Sequence, residues 1–191
     1  TAYDIYRKLG EKPNADADIF KKLYEISQKL GTKENVLTYL QKYAALKPSD
    51  VEAQHTLGDK LYEKKDSSGA LAAYRAVLKA DPKAKGFYQK YTDLLIGSGA
   101  KDEEVAAALL AGISAGEANV KMYHALADIY SKQNNHLKAV QMYEKASQLD
   151  TKNVELITAL GEAQAKSGNT SAAIMTYEQA VAMNPQANIE F

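Results

Sequence analysis

Two histidine–aspartate pairs have the spacing that a chemical site would require. His55 precedes Asp59 by four residues, and His124 precedes Asp128 by the same interval. Residues four apart lie on one face of a helix, so each pair would place an imidazole beside a carboxylate. Both groups bind metals, but a metal site needs three or four converging ligands, and the two pairs are far apart in the sequence. We therefore expect two solvated pairs and no metal site.

No other group of residues has the spacing of a catalytic site. The third histidine, His136, follows two asparagines and is predicted at a surface turn. The stretch 97–99, Gly-Ser-Gly, is too short for a phosphate-binding loop and lacks its lysine, so it also predicts a turn. The chain has no cysteine, which excludes disulfides, thiolate nucleophiles and cysteine-based zinc sites. The sequence thus predicts a protein that is not an enzyme and has no cofactor.

Charge and hydropathy argue against two further classes of protein. The 24 basic and 24 acidic residues give a formal net charge of zero, whereas nucleic-acid-binding proteins usually carry a basic surface. No segment approaches the roughly 20 apolar residues of a membrane-spanning helix. We expect a soluble protein with no nucleic-acid partner and no membrane insertion. A chain without cysteine is equally compatible with the cytoplasm and the periplasm, so the compartment stays open.

A motif recurs along the chain with a period of 34 residues. A leucine followed by a small residue occurs at 57–58, 126–127 and 160–161, and apolar residues recur at steps of three and four throughout. Each pair is followed by an alanine, a tyrosine four residues later and a small or branched residue after three more. These residues are Ala70, Tyr74 and Val77; Ala139, Tyr143 and Ala146; and Ala173, Tyr177 and Ala180. Gly, Asn, Asp and Ser between the two halves predict a turn, so each period forms two amphipathic helices.

The pattern resembles the tetratricopeptide repeat (TPR), whose 34-residue unit carries aromatic, Leu-Gly, Ala and Pro positions in this order. The resemblance implies an all-α, right-handed solenoid of about five helix–turn–helix units. Small residues at positions 58, 127 and 161 would face those at 70, 139 and 173, letting the two helices approach closely. The repeats are placed at 17–50, 51–84, 85–119, 120–153 and 154–187.

Two repeats depart from the pattern, and both ends of the sequence are incomplete repeats. The third repeat is one residue longer and has Tyr91-Thr92 in place of Leu-Gly, while the first has Tyr24 at the small position. We expect local repacking in both. Residues 1–16 have the spacing of the second helix of a truncated preceding repeat, and 188–191 begin a further one. We therefore expect a segment of a larger repeat protein that self-associates weakly through its open ends.

The resemblance implies that the first helix of each repeat lines a concave groove, with the second, fifth, ninth and twelfth positions pointing inward. The ninth position is acidic in every repeat and would form a solvent-facing line of carboxylates: Glu25, Asp59, Asp93, Asp128 and Glu162. Mostly polar side chains flank it: Lys21, Gln28, His55, Tyr62, Gln89, Ile96, His124, Ser131 and Thr158. We expect this groove to bind a partner peptide or protein segment that carries basic residues.

The same positions argue against two specialised roles known in the family. Members that bind the C-terminal carboxylate of heat-shock chaperones carry an asparagine where this chain has Glu or Asp. Members fused to sugar transferases carry an asparagine ladder at the sixth position, which here reads Lys, Thr, Lys, Ala, Ala. Two alternatives to groove binding stay open: a structural segment that stacks through its ends for self-assembly, and a regulatory arm of an enzyme whose catalytic domain lies elsewhere.

Overall fold

A computed structural model describes residues 1–184, except for the side chains of residues 33 and 34. This part of the chain contains α-helices and no strand, and none of its helices is both long and apolar enough to cross a membrane. The helices are α1 (Ala2–Gly10), α2 (Ala17–Leu30), α3 (Lys33–Leu46), α4 (Val51–Glu63), α5 (Ser67–Ala80), α6 (Tyr88–Gly97), α7 (Asp102–Ser114), α8 (Val120–Lys132), α9 (His136–Leu149), α10 (Val154–Lys166) and α11 (Thr170–Met183). The all-α expectation is confirmed.

Short polar side chains begin most of these helices. An Asp or Asn before the first turn accepts a hydrogen bond from the backbone N–H three residues later, as Asp50 does from Ala53 at 3.0 Å and Asn153 does from Leu156 at 3.2 Å. Such caps satisfy donors that the helix itself cannot, and each contributes about 1 kcal/mol. The remaining capped helices of this kind are α2, α5, α8, α9 and α11. The polar residues between helices therefore fix where each helix starts.

The predicted turns within repeats share one backbone conformation at the fifteenth position. The residues there have φ between 58° and 87°, and three of them are glycines, at 31, 99 and 168. The other two are Lys65 (φ 61°) and Asn134 (φ 58°). A positive φ reverses the chain after the first helix, and glycine adopts it without steric cost. The turn signals read from the sequence thus lie where the chain reverses.

The chain forms two compact units, residues 1–98 and 99–191. Within the first unit, consecutive helices from α1 to α6 contact each other, and within the second unit consecutive helices from α7 to α11 do the same. The helices α2–α3, α4–α5, α8–α9 and α10–α11 are antiparallel pairs within the predicted repeats. The unit boundary falls inside the predicted third repeat, 85–119, and the repeat boundaries themselves stay a prediction.

The small residue on the first helix makes room for the tyrosine on the second. A β-carbon on Gly58 would lie 2.5 Å from the Tyr74 ring, and one on Gly161 would lie 2.8 Å from the Tyr177 ring. The atoms nearest to a β-carbon on each glycine belong to the tyrosine ring and not to the alanine that the pattern places opposite, so the tyrosine packing requires a small residue there. In the first repeat the sizes are exchanged, because Tyr24 occupies the small position and the fully buried Leu40 takes the place of the tyrosine.

The third repeat has a polar residue at the position where the second, fourth and fifth repeats have the small residue of the first helix. Thr92, at the position that is Gly58 one repeat earlier, is 1% exposed. Its hydroxyl donates to the carbonyl oxygens of Tyr88 at 2.9 Å and Gln89 at 3.0 Å, so its buried polar atom is satisfied by its own helix. Beside it, Phe87 stacks on Tyr88 with ring centroids 4.8 Å apart. Local repacking in this repeat is therefore confirmed.

Helix α1 packs on α2 and α3. Gly10 approaches Leu23, and the Tyr3 hydroxyl accepts a hydrogen bond from the Asn35 side chain at 3.1 Å. The opposite face of α1 is uncovered, with Ile5 63% exposed. The expected partial repeat at 188–191 lies outside the described residues, and self-association stays a prediction.

Candidate functional site

The candidate groove residues lie on the first helices of the predicted repeats, and none of them is buried. Unit 1 carries three sets, on α2, α4 and α6, and unit 2 carries two sets, on α8 and α10. The sets are Lys21, Glu25 and Gln28; His55, Asp59 and Tyr62; Gln89, Asp93 and Ile96; His124, Asp128 and Ser131; and Thr158 and Glu162. The structure thus presents these side chains to solvent on successive helices within each unit, and partner binding by them stays a prediction.

Two of the five ninth-position carboxylates are held by tyrosines. The Tyr74 hydroxyl donates to Asp59 at 2.7 Å, and the Tyr143 hydroxyl donates to Asp128 at 2.5 Å. Each bond joins the first helix of a repeat to its second helix, 15 residues later. A hydrogen bond to a charged acceptor contributes about 1.5–3 kcal/mol to stability. Asp59 and Asp128 are therefore structural residues, and the expectation that these carboxylates simply face solvent needs correction.

Asp59 also joins two first helices of unit 1. The Lys90 ammonium on α6 donates to Asp59 Oδ1 at 2.8 Å, and both side chains are about two-thirds covered. Burial raises the pKa of the Asp59 carboxyl, but the hydrogen bonds from Lys90 and Tyr74 outweigh burial and leave that pKa below its usual value. Asp59 is thus ionised and already bound by Lys90 and Tyr74, so it is less available to a ligand than the sequence suggested.

Two of the other ninth-position carboxylates, Glu25 and Asp93, are not held in this way, whereas Glu162 has Tyr177 at the tyrosine position of its repeat. The second helix has Leu40 in the first repeat and Ala108 in the third where the others have tyrosine. Glu25 accepts a hydrogen bond from Lys22 at 2.8 Å, which holds the pKa of the Glu25 carboxyl below its usual value, and Asp93 accepts one from Gln89 at 2.8 Å. Both partners lie on the same helix as the acid. Glu162 is exposed. Glu25 and Asp93 are therefore the acids that can exchange a local partner for a ligand.

The two histidine–aspartate pairs lie on one helix face each, as the spacing predicts. His55 Nε2 is 3.8 Å from Asp59 Oδ2, and His124 Nε2 is 3.6 Å from Asp128 Oδ1. His55 also packs edge-on against Phe87, with ring centroids 5.6 Å apart. Among the side chains that the structure describes, no three of His, Asp or Glu converge as metal ligands would.

A cavity of about 390 Å³ opens between α2 and α4 in unit 1, with α3 as its floor. Lys21, Glu25 and Gln28 line one wall, and Glu52 and Thr56 line the other. Tyr24 and Tyr43 supply its aromatic surface. Three of the candidate groove residues therefore belong to one concave site, which the exchange of sizes in the first repeat helps to shape.

Several residues of this surface were not predicted from the sequence. Lys90, Tyr43 and Asp50 are not among the groove positions that the repeat pattern indicates. A lysine at the sixth position of one repeat and an acid at the ninth position of the preceding repeat would have indicated the Lys90–Asp59 pair. The Tyr43–Asp50 bond, at 2.5 Å, has no counterpart in the repeat pattern.

The buried tyrosines predict a loss of stability at alkaline pH. The hydrogen bond to the Asp50 carboxylate, aided by burial, raises the pKa of Tyr43 to about 12, and burial followed by the Asp59 and Asp128 carboxylates raises the pKa of Tyr74 and Tyr143. The folded state favours the protonated phenol, and this preference contributes to the free energy of unfolding. The contribution is complete below the unfolded pKa of about 10 and is lost as the pH rises through the pKa of the folded state. Thermal melts between pH 8 and pH 12 should show it.

Tyr43→Phe provides the control for that experiment. The variant should be less stable at pH 8, because it lacks the bond to Asp50, yet it should lose less stability between pH 10 and pH 12 than the unmodified chain. Lysine titration in the same range affects both proteins equally. Parallel losses in the two proteins would show that Tyr43 does not contribute to the alkaline transition.

Comparisons with known proteins agree with this architecture. Residues 130–190 match the family model described as tetratricopeptide repeat. A search of curated proteins found no match to the sequence. Among solved structures, MamA from residue 41 to its end, from Desulfovibrio magneticus RS-1, superposes with a TM-score of 0.60 at 19% identity, covering 90% of this chain and 97% of that one.

Two further structures share the fold over nearly the whole chain. YrrB, a TPR protein with an unusual peptide-binding site, has a TM-score of 0.67 at 14% identity and covers 96% of this chain and 94% of its own. PilF of Pseudomonas aeruginosa has a TM-score of 0.53 at 16% identity, covering 98% and 80%. Residues 130–190 are thus identified as tetratricopeptide repeat, and the chain has the all-α fold of these helical-repeat structures.

Proposed function

We propose that this chain is a protein-interaction scaffold that binds a partner segment on the exposed faces of its first helices. The observation that carries the proposal is the division of the ninth-position acids. Asp59 and Asp128 stabilise the fold through tyrosines, whereas Glu25 and Asp93 in unit 1 make hydrogen bonds only to neighbours on their own helix. The carboxylates at positions 25 and 93 have no such tyrosine partner, and this supports a role for them in ligand binding.

The charges of the surface indicate the kind of segment it binds. Lys21, Lys22 and Lys90 lie among the acids of unit 1, and Lys90 neutralises Asp59 directly. The remaining acids favour a partner with one or two basic residues among side chains that form hydrogen bonds, and not a strongly basic one. Exposed ion pairs each contribute at most about 1 kcal/mol and are screened by salt. Affinity should therefore be modest and should fall as salt concentration rises.

The similar proteins support an interaction role. YrrB, which has the same fold, is a TPR protein with a peptide-binding site, and extended surfaces of stacked repeats are the usual interaction sites of such folds. We extend this role to the present chain because its first helices carry exposed polar residues in every predicted repeat. The exposed residues of α8 and α10 in unit 2 offer a second surface of the same kind.

Selection from a random-peptide display library tests the proposal. Peptides enriched on the unmodified chain should bind the variant Glu25→Gln/Asp93→Asn about fivefold more weakly, by the magnitude of two exposed ion pairs. The matched control is Glu144→Gln/Glu178→Gln, which removes the same charge from exposed positions on the second helices α9 and α11. Circular dichroism should show that both variants keep the fold.

Two outcomes would contradict groove binding. Peptides that bind both variants equally would show that the first-helix acids do not recognise them. Loss of binding on changing Leu9 of α1, with no effect at positions 25 and 93, would favour the alternative of a segment that stacks through its ends. The other alternative, a regulatory arm of an enzyme, is tested by the sequence of the full-length protein.

A further inference from the structure

The cavity between α2 and α4 differs from the rest of the candidate surface because side chains of three helices, α2, α3 and α4, line it. Its volume, about 390 Å³, is at the lower end of the roughly 300–1,000 Å³ of small-molecule pockets. It is therefore too small for a folded segment but has room for one long side chain. From its walls we infer that this cavity binds a single arginine side chain of the partner segment. The inference rests on the proposed function and deepens it.

The charges that line the cavity favour a cation. Three carboxylates, Glu25, Asp50 and Glu52, face one ammonium, Lys21, which leaves two negative charges in excess. Lys22, outside the lining, offsets one of them through its bond to Glu25. Asp50 is a fixed charge, because its two oxygens accept from the Ala53 N–H and the Tyr43 hydroxyl. Glu52 is exposed on the opposite wall, so its carboxylate can turn to meet a ligand.

The aromatic walls distinguish arginine from other cations. The Lys21 ammonium lies 5.6 Å from the centre of the Tyr43 ring, so this surface already attracts a cation. The Tyr24 ring lines the same cavity, and its hydroxyl accepts a hydrogen bond from Gln28 at 2.6 Å, which fixes its position. A guanidinium is flat and weakly hydrated, and it can stack on a ring while donating two parallel hydrogen bonds to a carboxylate. A lysine ammonium is a compact and strongly hydrated charge, with neither the flat face nor the two parallel donors of a guanidinium.

The test adds a blocked five-residue peptide, with arginine at its centre and glycine and serine around it, to the isotope-labelled chain. Binding is measured by the amide chemical shifts of the chain. The arginine peptide should shift the resonances of residues 21–28 and 50–56. The same peptide with lysine should bind several-fold more weakly, and the peptide with citrulline, the neutral analogue of arginine, should bind at least about fivefold more weakly.

Two variants should change the affinity in opposite directions. Glu25→Gln/Glu52→Gln should weaken binding of the arginine peptide about fivefold, because it removes two carboxylates. Lys21→Met should strengthen it about two- to fivefold, because it removes the competing cation while keeping the length of the side chain. A variant that merely unfolds cannot bind more tightly, so the gain excludes that explanation. Glu144→Gln/Glu178→Gln should leave the affinity unchanged.

Several results would overturn the inference. Equal shifts with citrulline and arginine would show that charge is not recognised, and reversed effects of the two variants would show that the carboxylates do not bind the guanidinium. Shifts confined to other residues would place the ligand elsewhere. The outcome is separable from the proposed function. If display peptides depend on Asp93 while the arginine peptide leaves the cavity unshifted, only the arginine inference fails. If no display peptide depends on the first-helix acids but the cavity takes the arginine peptide, only the proposed function fails.

Discussion

Replacing Gly58 by alanine is expected to lower the midpoint of thermal unfolding by roughly 4–8 °C. The new β-carbon would lie 2.5 Å from Tyr74 Cε1, closer than side-chain carbons approach in folded proteins. The ring has no room to move, because Tyr74 is fully buried and stacked on Phe87 with centroids 5.2 Å apart. Overpacking of this kind costs about 1–3 kcal/mol or more, which exceeds the gain of about 1 kcal/mol in helix propensity. A net loss of about 2 kcal/mol gives the stated shift.

Gly97→Ala is the matched control. Gly97 is the last residue of α6, and no side chain or backbone atom lies within 4 Å of a β-carbon built there. The same glycine-to-alanine change should therefore be neutral or slightly stabilising, because only the propensity gain remains. Circular dichroism melts of the two variants measure the difference. Equal midpoints for Gly58→Ala and Gly97→Ala would show that the approach of helix and ring is not as close as described.

The second large effect is expected for Tyr74→Leu, which should lower the free energy of unfolding by about 3 kcal/mol. Leucine loses the hydrogen bond to Asp59 and the stacking on Phe87, and it leaves a space beside Gly58 that the two helices fill only partly. Tyr74→Phe keeps the ring and removes only the hydrogen bond, so it should cost about 1.5 kcal/mol. Chemical denaturation of the two variants separates the ring from the hydroxyl.

A double-mutant cycle tests whether Gly58 and Tyr74 act as one packing unit. Once Tyr74 is leucine, a methyl group at position 58 fills space instead of meeting a ring. Gly58→Ala should then cost at least about 1 kcal/mol less in the Tyr74→Leu background than in the unmodified chain. The first repeat provides the natural precedent, since it pairs Tyr24 with Leu40. Additive costs would contradict the coupling.

The local features of the fold could be read from the sequence because they repeat. Five copies of one pattern average out the ambiguity of any single segment, so the helices, the turns at the fifteenth position and the small residues beside tyrosines were all predictable. The division into two units was not, because it depends on contacts between whole helices. The pattern places the alanine of the second helix opposite each glycine, whereas the tyrosine ring lies there. A repeat pattern indicates which helix face is buried, but it does not give the direction of each side chain.

The candidate site was predictable only as a set of positions. The repeat register placed Glu25, Asp59 and Asp93 on equivalent helix faces, but it could not show that Asp59 is bound by Tyr74 and Lys90. Those bonds depend on the reach of side chains from a second helix and from the next repeat. The cavity beside Tyr24 was hidden for a similar reason, because it forms where the first repeat departs from the pattern.

The succession of neighbouring helix contacts within each unit has a kinetic consequence. Since the helix pairs with extensive contacts follow each other along the chain, folding requires the closure of short loops and has a small entropic barrier. Each unit should fold rapidly, in milliseconds or less, and its helices should open in contiguous blocks during native-state hydrogen exchange. An open block exposes the apolar side of a neighbouring helix, so brief partial unfolding, and not only the folded surface, determines how readily this chain is cleaved by proteases.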